Sequence, residues 1–509
     1  MNERAIEESL ELELTDFGPI ARAKVDLRPL TVFVGPSNTG KSYLAILIYA
    51  LHRFFSRDPR FPEWRFRGRF PLFVDPGRRE LSDETVSVLL DMARSLAGKP
   101  RLPSKRKIVL PPQVAEALRS SLDKNADALA SEIGRCFGIG TTRALVRKGR
   151  TEAARVILRR RMSNDSESVE HALTLARQTK LRTNIPADVP IPLNYLAGEG
   201  MNRFLRRYST MLDEEDKWDA NRRRFAARDL LAIVGDMVLP STFGPLHLPA
   251  YYLPADRTGV MHAHSVVVSA LIASAPTEGL RPAARTPMLS GVLADFLEQL
   301  IEINRPDRLR QKRKSDLGRE IEKGILGGSV RVDRSTSINY PRFAYRPEGW
   351  KDDLALANAS SMVSELAPVV LYLRHMVEPG NVLIVEEPES HLHPAMQVEF
   401  TRQLAALVNA GIRVIVTTHS EWLLEELANV VRRSAFSRAE RGNVRVGNFA
   451  LRPDQVGAWL FEPRQRPKGS LVKEIHLDDS GMFPTGYDAV AAALHNDWAE
   501  LSSQIGASS

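Results

Sequence analysis

Three apolar segments open the chain. Leu10 to Leu14 alternates apolar and charged residues, Ala21 to Leu27 alternates again, and Leu30 to Val34 is a nearly unbroken apolar run. Alternation at period two predicts half-buried strands, and the continuous run predicts a strand covered on both faces. A glycine-containing loop follows at once, and Ser42 to Phe55 has the length and apolar character of a helix. Val109 to Cys136 reads as a helix entered through Pro111 and Pro112, while Ala154 to Arg159 and Ala172 to Leu175 read as short strands. Asn202 to Val238 is an Arg-rich helical stretch. Tyr251 to Ala255 is strand-like, Val266 to Ala275 helical, Leu289 to Ile303 an amphipathic helix, and Ser329 to Tyr345 a hairpin.

The pattern then becomes regular. A helix over Ser361 to Val377, a strand over Asn381 to Val385 and a helix over Pro394 to Ala410 come in quick order. A strand over Arg413 to Thr417 and a helix over Glu421 to Arg433 follow. Strands alternating with helices predict a parallel sheet covered by helices. The segmentation this suggests is an N-terminal part over 1–60, an inserted mixed or helical region over 61–245, a return segment over 246–330 and a C-terminal part over 331–509. No internal repeat or low-complexity tract interrupts it.

Composition narrows the class. The 509 residues are 43% hydrophobic and 26% charged, a globular mixture long enough to bury a large core. The single cysteine, Cys136, excludes a disulfide scaffold and a four-cysteine zinc site and reads as a packing residue. No apolar run reaches the ~18 residues of a membrane helix, and the first residues lack the pattern of a signal peptide. A cytoplasmic protein without a membrane partner is expected.

The formal charge of +8 is unevenly spread. Thr141 to Arg161 carries many basic residues against Glu152 alone, and Arg305 to Lys314 has only Asp307 opposing its six cations. Such runs are footprints for a phosphate backbone or simply solvated faces, so DNA enters as a further partner without being established.

The candidate chemistry lies at strand ends. Gly35-Pro36-Ser37-Asn38-Thr39-Gly40-Lys41-Ser42 is a full phosphate-binding loop between an apolar strand and a helix. Its glycines let successive N–H groups face phosphate, Lys41 reaches the β- and γ-phosphates, and the Ser42 hydroxyl is suited to Mg²⁺. Val382 to Val385 ends in Glu386 and Glu387, the first placed to orient Mg²⁺ directly or through water, the second to polarise an attacking water. Val414 to Val416 leads to Thr417-Thr418-His419-Ser420, where His419 can sense the γ-phosphate or that water. Arg257 and His262 share the spacing of a ribonuclease pair, a two-residue coincidence. The His262/His264 and His391/His393 pairs lack a third metal ligand.

These residues together resemble ATPases of the ABC/SMC superfamily, in particular the OLD-like group of stand-alone bacterial AAA family ATPases. The resemblance rests on Leu30 to Leu44, Tyr252-Leu-Pro-Ala-Asp-Arg257, Asn358 to Val370, Glu386-Glu-Pro-Glu-Ser-His-Leu-His-Pro394 and Thr418-His-Ser420. It implies an α/β fold: an ABC-type P-loop head of mixed sheet and helices, with a largely helical inserted region. It implies ATP and Mg²⁺ as ligands, Glu387 and His419 as catalytic residues, and Ser42 and Glu386 at the metal. It implies pairing of two heads, a homodimer or higher oligomer, in which Ser360 meets the partner's γ-phosphate and Glu389-Ser390 crosses the seam. Arg257 is left between a γ-phosphate role and a structural one.

The sequence departs from the family at Ser361 and Met362, where glycines are usual, which points toward a weakened trans contact. Asp478-Asp479 does not match the Asp-x-Asp of the family's Toprim nuclease, so a chain without its own nuclease is expected. The function implied is an ATP-hydrolysing switch controlling a separately encoded effector in defence against phage. A DNA-repair ATPase and a non-hydrolysing nucleotide sensor are the alternatives.

Overall fold

The computed structural model describes residues 10–56, 81–97, 107–148, 152–161, 168–185, 188–190, 218–262, 289–303, 317–333, 341–435, 449–466, 468–477, 481, 483–485 and 487–507. Sixteen strands and eleven α-helices are found among them. The first strands, β1 (Glu11–Phe17) and β2 (Ile20–Asp26), pair antiparallel, with alternate side chains buried as their period-two pattern requires. Then come β3 (Leu30–Val34), buried at every position, and α1 (Lys41–Phe55).

The inserted region supplies α2 (Asp83–Ala97), β4 (Lys107–Val109), α3 (Pro112–Lys124) and α4 (Ala126–Phe137). It continues with β5 (Ala154–Arg161), β6 (Ser168–Leu175), β7 (Lys180–Asn184), β8 (Asp188–Pro190) and α5 (Ala220–Phe243). The return segment gives β9 (Ala250–Leu253), α6 (Gly291–Glu302) and α7 (Leu317–Ile321). Next are β10 (Gly328–Asp333), β11 (Arg342–Pro347), β12 (Leu354–Ala355), α8 (Ser361–His375), β13 (Val382–Glu386) and α9 (Pro394–Asn409). The chain closes with β14 (Arg413–Thr418), α10 (Glu421–Arg432), β15 (Val456–Gln465), β16 (Lys468–Ile475) and α11 (Tyr487–Ala507).

Eleven strands form one mixed sheet in the order β7-β6-β5-β1-β2-β16-β15-β3-β14-β13-β9. The segment β15-β3-β14-β13-β9 is parallel, and the β7-β6-β5-β1-β2 wing is antiparallel. This is the α/β class expected from the sequence, a mixed sheet with helices on both faces and a P-loop at its centre. The alternation of side chains along a strand divides the core between the two faces. Phe33, Tyr252, Ile384 and Ile415 face α1 and the insert, while Val32, Leu253, Val385 and Val416 face α8, α9 and α10.

Three details differ from the sequence expectation. The single helix over 109–136 is two, broken at Asn125, whose N–H bonds the Leu122 carbonyl and whose amide bonds the Ser121 carbonyl. The insert is not chiefly helical at its junction: β5–β7 extend the main sheet from β1. The helix expected over 202–238 is described only from Ala220, where Asp219 caps it by accepting the Arg222 N–H at 2.7 Å. The helix expected over 266–275 lies outside the described residues.

A buried polar network ties the insert to the P-loop helix. Tyr49 on α1 donates to Asp295 on α6 at 2.9 Å, and Arg135 on α4 forks onto the same carboxylate, both nitrogens at 2.8 Å. Cys136 is buried beside it, a packing position as its surroundings on α4 suggested.

Candidate functional site

Three strand ends meet at the centre of the parallel sheet. β3 delivers the P-loop, β14 runs beside it and delivers Thr418-His419, and β13 lies on the other side of β14 and ends in Glu386-Glu387. Residues separated by more than 340 positions are thereby brought to one edge, the crevice at strand carboxyl ends where α/β sheets bind ligands.

The loop's geometry explains its composition. Gly35 (φ 140°) and Gly40 (φ 103°) occupy backbone conformations that side chains resist, and Asn38 (φ 63°) is left-handed. A Cβ at Gly35 would stand 2.6 Å from the Phe461 carbonyl oxygen on β15, so strand packing as well as phosphate approach requires glycine there. Thr39 pins the loop by donating to the Pro36 carbonyl at 2.8 Å.

Lys41 is folded back on its own loop. Its Nζ donates to the carbonyls of Gly35 at 2.8 Å and Pro36 at 2.9 Å and lies 3.1 Å from His419 Nε2. Burial lowers its pKa to about 8, against the opposing pull of Glu387, Glu389 and Glu386. The same His419 Nε2 is 3.1 Å from Glu387 Oε1. Lys41, His419 and Glu387 form one continuous chain of polar contacts.

The two glutamates occupy different surroundings. Glu386 is buried, and burial raises its pKa, an effect that the neighbouring Ser42 and Tyr252 hydroxyls and the Ala255 N–H offset only in part. Its Oε2 accepts from the Ala255 N–H at 3.3 Å, while Oε1 is buried without a well-formed hydrogen bond. A buried carboxylate oxygen left unsatisfied near a hydroxyl fits a divalent cation, which that oxygen and Ser42 could share. Glu387 is half-buried and has φ 40°, a left-handed backbone that a glutamate adopts only under constraint. The constraint is visible: its N–H bonds the Thr417 carbonyl at 2.9 Å.

Glu389 holds the histidine loop. Its Oε1 accepts from the Thr418 hydroxyl at 2.8 Å and from the His419 N–H at 2.6 Å, within one chain. Burial raises its pKa despite those bonds.

Ser360 is not among these groups. It stands exposed at the N-terminus of α8, capping it by accepting the Val363 N–H at 3.4 Å. Met362, on α8, is partly buried against the core. Arg257 is fully buried, held by main-chain carbonyls and by Glu365 on α8. His262 Nε2 is 2.8 Å from the Ser364 hydroxyl, so the Arg257/His262 spacing builds no separate site. Among the described residues no cluster of three or more metal-ligating side chains exists.

In the first basic run Arg159 contacts Glu13 at 2.7 Å and Glu170 at 2.8 Å, and Arg147 contacts Asp16 at 2.7 Å; Arg143, Lys148 and Arg155 are exposed. The second, over 305–314, lies outside the described residues, as do His264 and Asp478-Asp479. No helix among the described residues is long and apolar enough to cross a membrane.

Sequence reading missed Arg257's full engagement and the clamp of Glu389 on His419. The first left no signal beyond the Tyr252-Leu-Pro-Ala-Asp-Arg257 segment, because its partners are distant in sequence.

A family model described as "AAA domain, putative AbiEii toxin, Type IV TA system" matches residues 127–425. No curated protein matches the sequence. Among solved structures, the SMC head domain from Thermotoga maritima aligns at 13% identity over 92% of this chain and 99% of that one, with a TM-score of 0.35. An SMC head bound to the C-winged helix domain of ScpA aligns at 12% identity over 92% and 98%, with a TM-score of 0.39. An SMC head with an extended coiled coil bound to the C-terminal domain of ScpA, derived from Pyrococcus furiosus, aligns at 13% identity over 92% and 96%, with a TM-score of 0.36.

Proposed function

This chain belongs to the AbiEii-like AAA-domain family, and from that premise we propose that it is an ATP-hydrolysing molecular switch whose heads pair around nucleotide. The observation that carries the reading is the meeting of Lys41, His419 and Glu387 through contacts of 3.1 Å, beside the unsatisfied oxygen of Glu386.

In this reading the P-loop N–H groups and the start of α1 receive the β-phosphate. Lys41 exchanges its carbonyl partners for the β- and γ-phosphates, which releases His419 Nε2 from the ammonium. Glu387 then takes a proton from the attacking water, and His419 orients that water or the γ-phosphate. Ser42 and Glu386 would hold Mg²⁺, which when bound neutralises charge on the phosphate oxygens. Glu389 keeps the His419 backbone in register. Ser360, exposed on α8, serves the γ-phosphate of a second head. The non-hydrolysing sensor, which rests on Ser361 and Met362 standing where glycines are usual, is the alternative that tight ATP binding without turnover would favour.

The switch works through a separately encoded effector, in bacterial defence against phage. Support comes from the toxin–antitoxin description of the family. The DNA-repair alternative rests on the basic runs, of which the exposed Arg143, Lys148 and Arg155 belong to the first; stimulation of turnover by DNA would favour it.

The test is purified-protein kinetics. Lys41→Ala should lose tight ATP binding, and Glu387→Gln should keep ATP while turnover falls by roughly 10²–10⁴-fold, the usual worth of a positioned base. Normal turnover in Glu387→Gln would remove the assignment. In cells, full protection against phage by Lys41→Ala would remove the ATP switch from defence.

A further inference from the structure

Arg257 is turned to the protein rather than to a nucleotide: it is fully buried, and each of its nitrogens donates to a main-chain carbonyl. A guanidinium offers five N–H groups on its three nitrogens, and the group is also ion-paired with Glu365. Nε donates to the Glu365 carbonyl at 3.2 Å. One terminal nitrogen donates to the Pro254 carbonyl at 2.9 Å and to the Glu386 carbonyl. The other donates to the Glu387 carbonyl at 3.2 Å and is ion-paired with the Glu365 carboxylate. The Thr258 hydroxyl donates to the second oxygen of that carboxylate. Arg257 and Glu365 are both fully buried, so the pair is locked rather than exchanging with water. A γ-phosphate role would require breaking several of these bonds in a dry site.

What the fork joins is specific. On one side it grips consecutive carbonyls of Glu386 and Glu387, at the strained turn that aims Glu387. On the other it grips the backbone and side chain of Glu365, a little over one turn along α8 from the exposed Ser360. Two elements are thereby fixed to a single planar group: the helix that faces a second head and the peptide that carries the reacting carboxylate. A rigid connection between two packed elements transmits a shift of one to the other.

We propose that Arg257 is a positioning residue that couples α8 to Glu387, so that engagement of the exposed end of α8 by a second head's nucleotide sets the aim of the Glu387 carboxylate. The coupling rests on the reading of Glu387 as general base. Hydrolysis then waits for pairing because an unpaired α8 leaves Glu387 off its productive position. A misplacement of about 1 Å at a reacting group is enough to cost ~10²-fold in rate.

The experiment compares the full-length parent with Arg257→Lys, which keeps the charge and loses the fork, and with Thr258→Val, which loosens Glu365 and leaves no buried charge unpaired. ATP affinity by calorimetry, ATP-driven association by light scattering, thermal midpoint and steady-state kcat are measured on each. Arg257→Lys should bind ATP and associate like the parent while kcat falls by ~10²-fold, and Thr258→Val should lower kcat in the same direction with KM unchanged. A folded Arg257→Lys with parental kcat overturns the proposal, as does a loss of ATP affinity in step with kcat. Should Arg257→Lys not fold, Thr258→Val decides alone: parental kcat overturns the coupling. The parallel Glu387→Gln variant separates the two readings. If it is active, the base assignment fails whatever Arg257 does; if it is inactive while Arg257→Lys is active, only the coupling fails.

Discussion

His419 Nε2 stands 3.1 Å from Glu387 Oε1, and the same nitrogen is 3.1 Å from Lys41 Nζ. One imidazole nitrogen cannot donate to a carboxylate and accept from an ammonium at once. The two contacts therefore compete, and in the proposed mechanism phosphate would resolve the competition by drawing Lys41 away.

The first prediction concerns that nitrogen. His419→Gln presents an amide that cannot take a positive charge, so ATP affinity should stay near the parent's while kcat falls by roughly 10²-fold or more. Equal losses in ATP affinity and kcat would place His419 in ground-state binding instead.

The second concerns Lys41, whose pKa burial lowers to about 8. Phosphate favours the charged ammonium, so ATP raises that pKa on binding. Below about pH 8 the ammonium is already present and its binding takes up no proton. Above it, binding must take up a proton and affinity should fall by up to about tenfold per pH unit. Calorimetry in buffers of different ionisation heat reads this directly: proton uptake appears on the alkaline side. A flat affinity through that range would show that Lys41 stays charged throughout.

The third concerns assembly. Ser360→Arg leaves the P-loop, Glu386, Glu387 and His419 untouched, so ATP binding should remain. Its long side chain fills the exposed end of α8, so ATP-driven association should fail and turnover with it. Light scattering that shows parental association removes Ser360 from the contact between heads.

The meeting of the strand ends at this site was legible because each part is local. An apolar run closed by Gly35, by Glu386-Glu387 or by Thr418-His419 announces a buried strand that ends in polar groups, and neighbouring strand order brings those ends together. Arg257 was not legible, since its acceptors at Glu365, Glu386 and Glu387 lie more than a hundred positions away. The left-handed backbone of Glu387 has no sequence signal either; it follows from the bonds on both sides of its peptide. β15 escaped notice because it pairs with β3, hundreds of residues earlier, and its pattern of buried residues turns exposed midway. The break at Asn125 comes from a side chain competing for the backbone, which periodicity does not register.

The last prediction concerns acid stability. His52 and His171 are fully buried and neutral, their pKa values lowered by burial from 6.5 to about 3 and about 4. Each donates to a carbonyl near the end of the insert: His52 Nδ1 to Leu248 and His171 Nε2 to Thr242, both at 3.0 Å. The His171 ring also stacks on Phe243 with centroids 3.9 Å apart. With the folded pKa depressed, their contribution is complete above about pH 6.5 and is lost as pH falls toward 4, because the unfolded chain takes up protons first. The raised pKa values of Glu386 and Glu389 act in the opposite direction, so the comparison must be between parent and variant. His171→Gln keeps a donor but cannot titrate. The parent should be more stable than this variant near neutral pH, and the gap should narrow steadily on acidification to about pH 5. Urea unfolding at several pH values measures the gap; a constant difference would mean that His171 titrates alike in the folded and unfolded chain.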